Sequence, residues 1–245
     1  EINRRIVDHT ADINMPYSSI AREYLLAEGF PADRIIKTGS PMYEVLHYYM
    51  PKIEASDVLT RLDLKEQEYF VVSAHREENI DPPQQFTRLV ALLRGLAGKF
   101  RTPIILTTHP RTRKRLIEEA VELPAFVQTH RPFCLTDYDK LQLGAKAVLS
   151  DSGTVSEEAS ILDLPALNIR DAHERPEAME EAAALLTGLD FNRVLQGLSL
   201  LEKQSNRGQR LFPVVRDYNV PAVSEKVARI ILSYTGYVNR TVWAQ

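Results

Sequence analysis

Short apolar runs alternate with longer stretches of helical periodicity along most of this chain, and this alternation constrains the fold more than any other feature. Apolar residues recur at helical spacing in residues 83–100, 113–123 and 137–145. The strand-length runs between them end at polar positions: His75, His109, His130, Ser152 and Asp171. Alternating strands and helices are typical of βα units around a parallel sheet. The sequence therefore predicts an α/β fold.

Composition narrows the class of protein. The chain has 245 residues, of which 44% are hydrophobic, and a net charge of -3. No apolar run approaches the ~20 residues that span a bilayer, and an acidic balance argues against a protein dominated by nucleic-acid backbone contacts. The single cysteine, Cys134, excludes an intrachain disulfide and fits a reducing compartment. We therefore expect a globular cytoplasmic protein of one or two domains that binds neither membranes nor nucleic acid.

Polar and basic residues follow every predicted strand. Open α/β sheets bind ligands outside the carboxyl ends of their strands, so these residues are expected to share one edge. Together they would form a cationic rim on an acidic protein, and such a rim implies an anionic ligand. The rim residues are His75, Arg76, His109, Arg111, Arg131, Arg170 and Arg175.

The stretch LSDSGTVSEEAS, residues 149–160, carries the most specific signal. Its turn, made of Ser152, Gly153 and Thr154, lies where a strand gives way to a helix. A helix N-terminus receives phosphate well, and glycine permits close approach of the backbone. Glu158, one turn into the helix, could bind sugar hydroxyls. The alternative is simple helix capping by a side chain of this turn or by Asp151, with an acid of the first helical turn completing a capping box.

Other chemistries find little support. The three strand-end histidines lack the close His or Cys pairing of a zinc site, so no metal is expected. The segment DSGTV lacks the G-x-S-x-G elbow of a serine nucleophile, and SGT lacks the lysine of a P-loop. No cofactor is predicted.

Five segments together resemble the non-hydrolysing UDP-N-acetylglucosamine 2-epimerase family. EINRR, SAHREEN, THPRTRKR, SDSGTVSEEAS and RDAHERPEAME occur in the order and at the spacing that this family shows. The tail, DYNVPAVSEKVARIILSYTGYVNRTVW, resembles the branch of UDP-N-acetyl-L-fucosamine synthases. Those bacterial enzymes invert C2 of a 6-deoxy-L-hexosamine nucleotide for capsule or O-antigen.

The resemblance implies the C-terminal half of a glycosyltransferase-B-like fold, in which two Rossmann-like domains close over a UDP-sugar. Residues 1–37 would end the first domain, 38–68 would be the crossover, 69–212 the UDP-binding Rossmann-like domain and 213–245 a helical tail returning to the first domain. A surface loop is expected around Gly208. The chain opens on EINRR without an initiator methionine, so we expect preceding sequence, including the proton-transfer acids. A homodimer is expected.

The chemistry implied by the resemblance is epimerisation at C2 of a UDP-N-acetylhexosamine of the GlcNAc or ManNAc type, through elimination and re-addition of UDP. His75 would contact the leaving phosphate or the sugar, and Arg4 would contribute from the first domain; these are the catalytic candidates. Many family members have a second glycine where this chain has Thr154. The candidates for substrate binding are Arg76, His109, Ser152, Gly153, Thr154, Glu158 and Arg175.

Two other classes of function remain open at the level of sequence. A retaining glycosyltransferase of the same architecture would use the same UDP site, and only transfer to an acceptor would distinguish it. A nucleotide-sugar-binding module without catalysis is the second alternative.

Overall fold

The computed structural model describes residues 2–204 and 210–244, so the loop predicted around Gly208 lies outside the described residues. The chain divides into two compact units. Unit 1 comprises Glu1–His47 and Val214–Gln245, and unit 2 comprises Tyr48–Pro213. Among the described residues, no helix is both long enough and apolar enough to cross a membrane.

Unit 2 is an alternation of strands and helices, as the apolar pattern predicts. Its strands are β1 (Phe70–Ser73), β2 (Ile104–Thr107), β3 (Val127–His130), β4 (Ala147–Ser150), β5 (Ala166–Asn168) and β6 (Leu185–Leu186). Its helices are α4 (Val58–Arg61), α5 (Glu77–Ile80), α6 (Pro83–Phe100), α7 (Pro110–Glu118), α8 (Leu135–Gly144), α9 (Val155–Leu162), α10 (Pro176–Glu180) and α11 (Phe191–Gln204). Before them along the chain lies α3 (Met42–Glu54), which crosses the division between the units.

The six strands form one parallel sheet in the order β3-β2-β1-β4-β5-β6. The central strands β1 and β4 pair in register, from Phe70 beside Ala147 to Ser73 beside Ser150. Strand order reverses between them, because the chain runs outward from β1 to β3 and then returns to β4. Such a switch point opens a crevice at the carboxyl ends of the two strands, where ligands bind in open α/β sheets.

Both faces of the sheet are covered, which explains why its strands are almost wholly apolar. On one face, Phe70 and Val72 pack with Leu89 and Leu93 of α6 and with Val194 of α11. On the other face, the alternating residues Val71, Ile105 and Val148 pack with Leu141 of α8 and Val155 of α9. The sheet is therefore rigid at the point where its central strands end.

Unit 1 is built from both ends of the described chain. It contains α1 (Ile2–Thr10), α2 (Ser19–Ala27), a 3-10 turn (Ala32–Arg34), the first part of α3 and α12 (Val223–Thr241). Asp217 joins the two segments: its carboxylate accepts from Lys37 Nζ at 2.6 Å and from the Ser19 amide at 2.9 Å. Gly39 has φ +87°, and a Cβ there would lie 2.8 Å from Val220 Cβ, so glycine is needed at this close contact.

The predicted fold class is confirmed: the chain folds as a Rossmann-like parallel α/β sheet. The helices over residues 83–100 and 155–162 were predicted at their observed bounds. The strands, however, end earlier than the apolar runs, since β1 stops at Ser73 and β4 at Ser150. Beyond the strand ends, the amides of His75, Arg76 and Ser152 bond to side chains. The domain boundaries that the resemblance implies stay a prediction.

Candidate functional site at the carboxyl edge of the sheet

A buried carboxylate joins the two loops at the switch point. Asp151 directly follows β4 and is fully buried. It accepts hydrogen bonds from the backbone amide of His75 at 3.0 Å and from that of Arg76 at 3.0 Å, both in the loop after β1. Asn79 of α5 donates to the same carboxylate at 3.2 Å. Asp151 therefore fixes the SAHREEN segment against the SDSGT segment, and it is a structural centre that the sequence reasoning considered only as a possible helix cap.

The same carboxylate orients the His75 ring. Nδ1 of His75 lies 3.0 Å from Oδ1 of Asp151, and the ring is about one third exposed. A carboxylate accepts and cannot donate, so Nδ1 carries the proton and Nε2 is the nitrogen left for a ligand. The ring of His109, which precedes α7 at the end of β2, has its centroid 6.4 Å from that of His75. Both predicted histidines thus lie at one edge.

Gly153 lies directly beneath a guanidinium group. A Cβ on Gly153 would come within 3.2 Å of Arg76 Nη2 and 3.8 Å of Glu174 Oε2, so the absent side chain leaves room for Arg76. A side chain at Gly153 would have to displace the end of the Arg76 side chain slightly, whereas the backbone conformation sets no need for glycine, since the φ of Gly153 is not among the positive values of the described residues. The turn of residues 152–154 and the loop after β1 therefore meet at the start of α9.

Thr154 occupies the N-cap position of α9, but its side chain makes no capping hydrogen bond to the helix. Its hydroxyl lies 2.9 Å from that of Ser152 and bonds to the Glu158 carboxylate. The backbone of Thr154 is right-handed, with φ -80° and ψ -16°, which any residue adopts. A glycine is thus not required at this position, and the capping-box alternative is not what the turn forms.

The residues of the predicted cationic rim are heavily paired with acids. Glu174 lies 3.4 Å from Arg76 and 3.0 Å from Arg170, and Arg170 also pairs with Glu78 at 2.6 Å. The Arg170 guanidinium lowers the pKa of the Glu174 carboxyl through its hydrogen bond. The remaining pairs are Arg175 with Glu157 at 3.3 Å, and Arg111 with Glu77 at 2.9 Å and Asp81 at 2.7 Å.

The arginines of the site are already paired with acids, so an anionic ligand could bind by taking the place of one of these carboxylates. Glu174 is half-exposed, whereas the side chain of Arg170 is only 8% exposed. A diphosphate could therefore take the place of the solvent-facing Glu174 carboxylate beside Arg76, while the buried side chain of Arg170 stays in place. Charge-assisted contacts to guanidinium groups are the strong class of hydrogen bond for such an exchange.

Glu158 is buried, with 8% of its surface exposed. It accepts a hydrogen bond from Gln142 Nε2 of α8 at 3.0 Å, and the same amide nitrogen donates to Asp139 Oδ1 at 3.2 Å. Burial raises the pKa of Glu158. Burial, with a smaller contribution from the Glu158 charge, raises the pKa of Asp139 to about 7. Neither Gln142 nor Asp139 was predicted, because both lie on a helix whose sequence reads as an ordinary amphipathic cover.

Arg4 is the one predicted site residue in unit 1. It lies on α1, and its guanidinium pairs with Asp8 at 2.5 Å and with Glu28 at 2.6 Å. All the other predicted site residues lie in unit 2 and gather at the carboxyl edge of its sheet. Their roles toward a substrate stay a prediction.

Within residues 2–204 and 210–244, no three or more His, Cys, Asp or Glu side chains are grouped so that they could hold a metal ion.

Fold and site define an α/β protein of the Rossmann-like class with an anion-accepting edge at its switch point. Comparison with known proteins is more specific: the model of the family described as UDP-N-acetylglucosamine 2-epimerase matches residues 1–232. The chain belongs to that family. The family resemblance of its motifs is thus confirmed.

Several relatives have known names or structures. A UDP-N-acetylglucosamine 2-epimerase of Rickettsia bellii has a solved structure that is 45% identical, with a TM-score of 0.89, covering 100% of this chain and 65% of that one. The enzyme of Methanocaldococcus jannaschii, solved in complex with UDP-GlcNAc and UDP, is 26% identical with a TM-score of 0.84, covering 95% and 64%. By sequence alone, a UDP-N-acetylglucosamine 2-epimerase of M. jannaschii is 28% identical over 214 residues, 84% of this chain and 58% of the relative.

The chain thus spans about three fifths of the length of the relatives it matches.

Proposed function

We propose that this chain supplies the UDP-binding site of an isomerase that inverts C2 of a UDP-N-acetylhexosamine. The observation that carries the proposal is the join made by Asp151, which brings His75, Arg76 and the turn of residues 152–154 together at the switch point of the sheet. Family membership and the M. jannaschii enzyme, which was solved with UDP-GlcNAc and UDP, support the choice of ligand.

The diphosphate would lie above Gly153, where Arg76 is available after Glu174 moves away. The N-terminus of α9 points its amide groups and its partial positive charge toward the same place. Arg175, at the start of α10, would add a second guanidinium. Glu158 would accept hydrogen bonds from the ribose diol, and His109 would lie at the rim beside His75.

The reaction requires that the C2 proton be removed and that the bond between C1 and the UDP oxygen break. This gives a 2-acetamidoglycal and UDP; UDP then adds back at C1 while C2 receives a proton on its opposite face. His75 Nε2, facing away from Asp151, would assist the leaving phosphate oxygen. Arg4, on α1, is the other catalytic candidate.

The finer assignments are part of the proposal. The substrate is of the UDP-GlcNAc or UDP-ManNAc type or belongs to the 6-deoxy-L series that gives UDP-L-FucNAc, and the product serves a bacterial capsule or O-antigen. The protein acts in the cytoplasm as a homodimer.

Two measurements test this function. Calorimetry should detect UDP binding to the 245-residue chain, and Gly153→Val should weaken it strongly because the side chain displaces Arg76. In heavy water, any longer protein that contains this chain should place deuterium at C2 of UDP-GlcNAc or of its 6-deoxy-L counterpart, while the 245-residue chain alone should give no turnover. Turnover with C2 fully protiated would contradict elimination and favour a glycosyltransferase. UDP binding without turnover, both in the 245-residue chain and in a longer protein that contains it, would favour a non-catalytic nucleotide-sugar-binding module.

A further inference from the structure

One amide nitrogen lies between two buried carboxyl groups next to the candidate ribose site. Gln142 is fully buried, and its Nε2 donates to both Glu158 and Asp139, at 3.0 and 3.2 Å. Asp139 is also fully buried. Both hydrogens of the amide are thus committed, one to each acid. This bridge runs from α8 to α9, and no step of the proposed reaction uses it.

We propose that Asp139 and Gln142 are positioning residues, which orient the Glu158 carboxylate for the ribose diol of a uridine nucleotide and make that orientation depend on a proton held by Asp139. This inference rests on the proposed function, in which Glu158 accepts from the ribose.

The geometry leaves acceptor capacity at Glu158 for a ligand. A carboxylate has about four acceptor positions. Thr154 and Gln142 each donate to Glu158, one from its own helix terminus and one from α8. Two positions remain for the two hydroxyls of a diol. Without Gln142, the side chain would keep only the contact to Thr154 and would lose its fixed direction.

Two oxygen atoms of the bridge lack a hydrogen-bond donor. Asp139 Oδ2 and Gln142 Oε1 are both buried and make no hydrogen bond within the described structure. A proton on Asp139 would turn one unsatisfied acceptor into a donor, and it would remove the repulsion between two acids that share one neutral amide. The raised pKa of Asp139, about 7, has burial as its main cause and fits this arrangement.

Several titratable groups lie on elements around Asp139, but they take part in other contacts and do not offset a negative charge on Asp139. On α9, Glu157 pairs with Arg175 at the start of α10, and its charge raises the pKa of Glu158 further. On α8, Tyr138 bonds to Ser73, and burial raises the pKa of its hydroxyl, which stays neutral. Arg61 of α4 pairs with Asp57 and Asp137, on the same helix as Asp139 but in a separate ion pair.

The test compares UDP affinity across pH in the 245-residue chain and three variants. Because UDP titrates in the same range, the readout is the difference between variants and wild type. Asp139→Asn keeps an acceptor for Gln142 and, like the protonated acid, carries no charge beside Glu158 at any pH. Wild-type affinity should fall relative to this variant as the pH rises through about 7, because Asp139 then loses its proton.

Gln142→Met has similar length and removes the bridge; it should weaken UDP about tenfold at every pH, in line with one lost charge-assisted hydrogen bond to Glu158. The matched control is Asp137→Asn on the same helix, which should leave the pH profile unchanged. Carboxyl NMR of the same samples should show Asp139 losing its proton over the pH range in which wild-type affinity falls.

Parallel pH profiles of affinity for the wild type and Asp139→Asn would overturn the inference, as would wild-type affinity in Gln142→Met. Either result alongside normal UDP binding would leave the proposed function intact. Absence of UDP binding to the wild-type chain at every pH would overturn both.

Discussion

Replacing Asp151 tests the idea that one buried carboxylate assembles the site. In Asp151→Ala, the backbone amides of His75 and Arg76 lose their acceptor, and the buried side-chain nitrogen of Asn79 keeps only its bond to the Ile169 carbonyl. A buried donor without a partner costs about 1–3 kcal/mol, and the two backbone amides lie near enough to the surface to be at the low end. The expected loss is about 2–4 kcal/mol, a large part of the stability of an ordinary domain.

The assay is urea unfolding of the 245-residue chain, with the midpoint and the slope both fitted. Asp57→Ala is the matched control, because Asp57 makes an exposed ion pair with Arg61 and should cost no more than about 1 kcal/mol. If Asp151→Ala loses less than the control at an unchanged slope, the carboxylate does not join the two loops and the reasoning is wrong.

Asp151→Asn should destabilise the fold less than Asp151→Ala, and it should change which ring nitrogen of His75 carries the proton. Its oxygen can still accept from Arg76 and Asn79, while its amide group faces His75 Nδ1, which must then accept a hydrogen bond. The exchange of charge-assisted for neutral hydrogen bonds should cost about 1–2 kcal/mol. Nitrogen NMR should show the His75 proton moved from Nδ1 to Nε2. Retention of the proton on Nδ1 would refute the orienting role.

Four further outcomes are expected. Gly153→Ala should weaken UDP severalfold in calorimetry, because its Cβ would lie 3.2 Å from Arg76 Nη2; unchanged affinity would mean that Arg76 does not bind the diphosphate. Glu158→Gln should weaken UDP by about 1.5–3 kcal/mol with unchanged circular dichroism, and full affinity would reduce Glu158 to a structural role. The pKa of Asp139 is higher in the folded than in the unfolded state, so its contribution to stability is fully present below about pH 4 and is lost as the pH rises through about 7. Asp139→Asn should therefore lose less stability than wild type between pH 4 and 8 in urea titrations, with roughly 4 kcal/mol as the ceiling, and parallel curves would count against a buried proton. In a longer, active protein, His75→Ala should slow deuterium exchange at C2 by more than it weakens UDP, and an equal effect on both would assign His75 to binding alone.

The sequence predicted the fold well where periodicity was strong. An 18-residue amphipathic run gave α6 at its observed bounds, since burial of one helix face leaves a long regular signal. Strand β6 has only two residues, Leu185 and Leu186, and no pattern of that length distinguishes a strand from a loop. The segment after β5 likewise gave no clear sign of α10, a helix of five residues.

The sequence predicted which residues gather at the edge of the sheet, but it did not predict the ion pairs and hydrogen bonds between them. The carboxyl ends of parallel strands must share an edge, so grouping His75, His109 and Gly153 needed only the predicted sheet. The partners of the arginines could not be read in the same way, because Glu174 and Glu78 reach Arg170 through side-chain directions that the order of residues does not encode. Asp139 and Gln142 were missed for a similar reason: they act across two helices toward Glu158, and each alone is an ordinary helix residue.

The composition of unit 1 from two distant segments has a consequence for how the protein is made. Lys37 and Gly39 are translated before unit 2, yet their contacts with Asp217 and Val220 can form only after unit 2 has been made. Unit 2 is continuous and can fold during synthesis, because domains generally fold as units while the chain emerges. The contacts of Lys37 and Gly39 therefore stay unmade while the whole of unit 2 is translated. A nascent chain halted before Val214 should be cut by proteases near Lys37 and Gly39 more readily than one halted after Thr241.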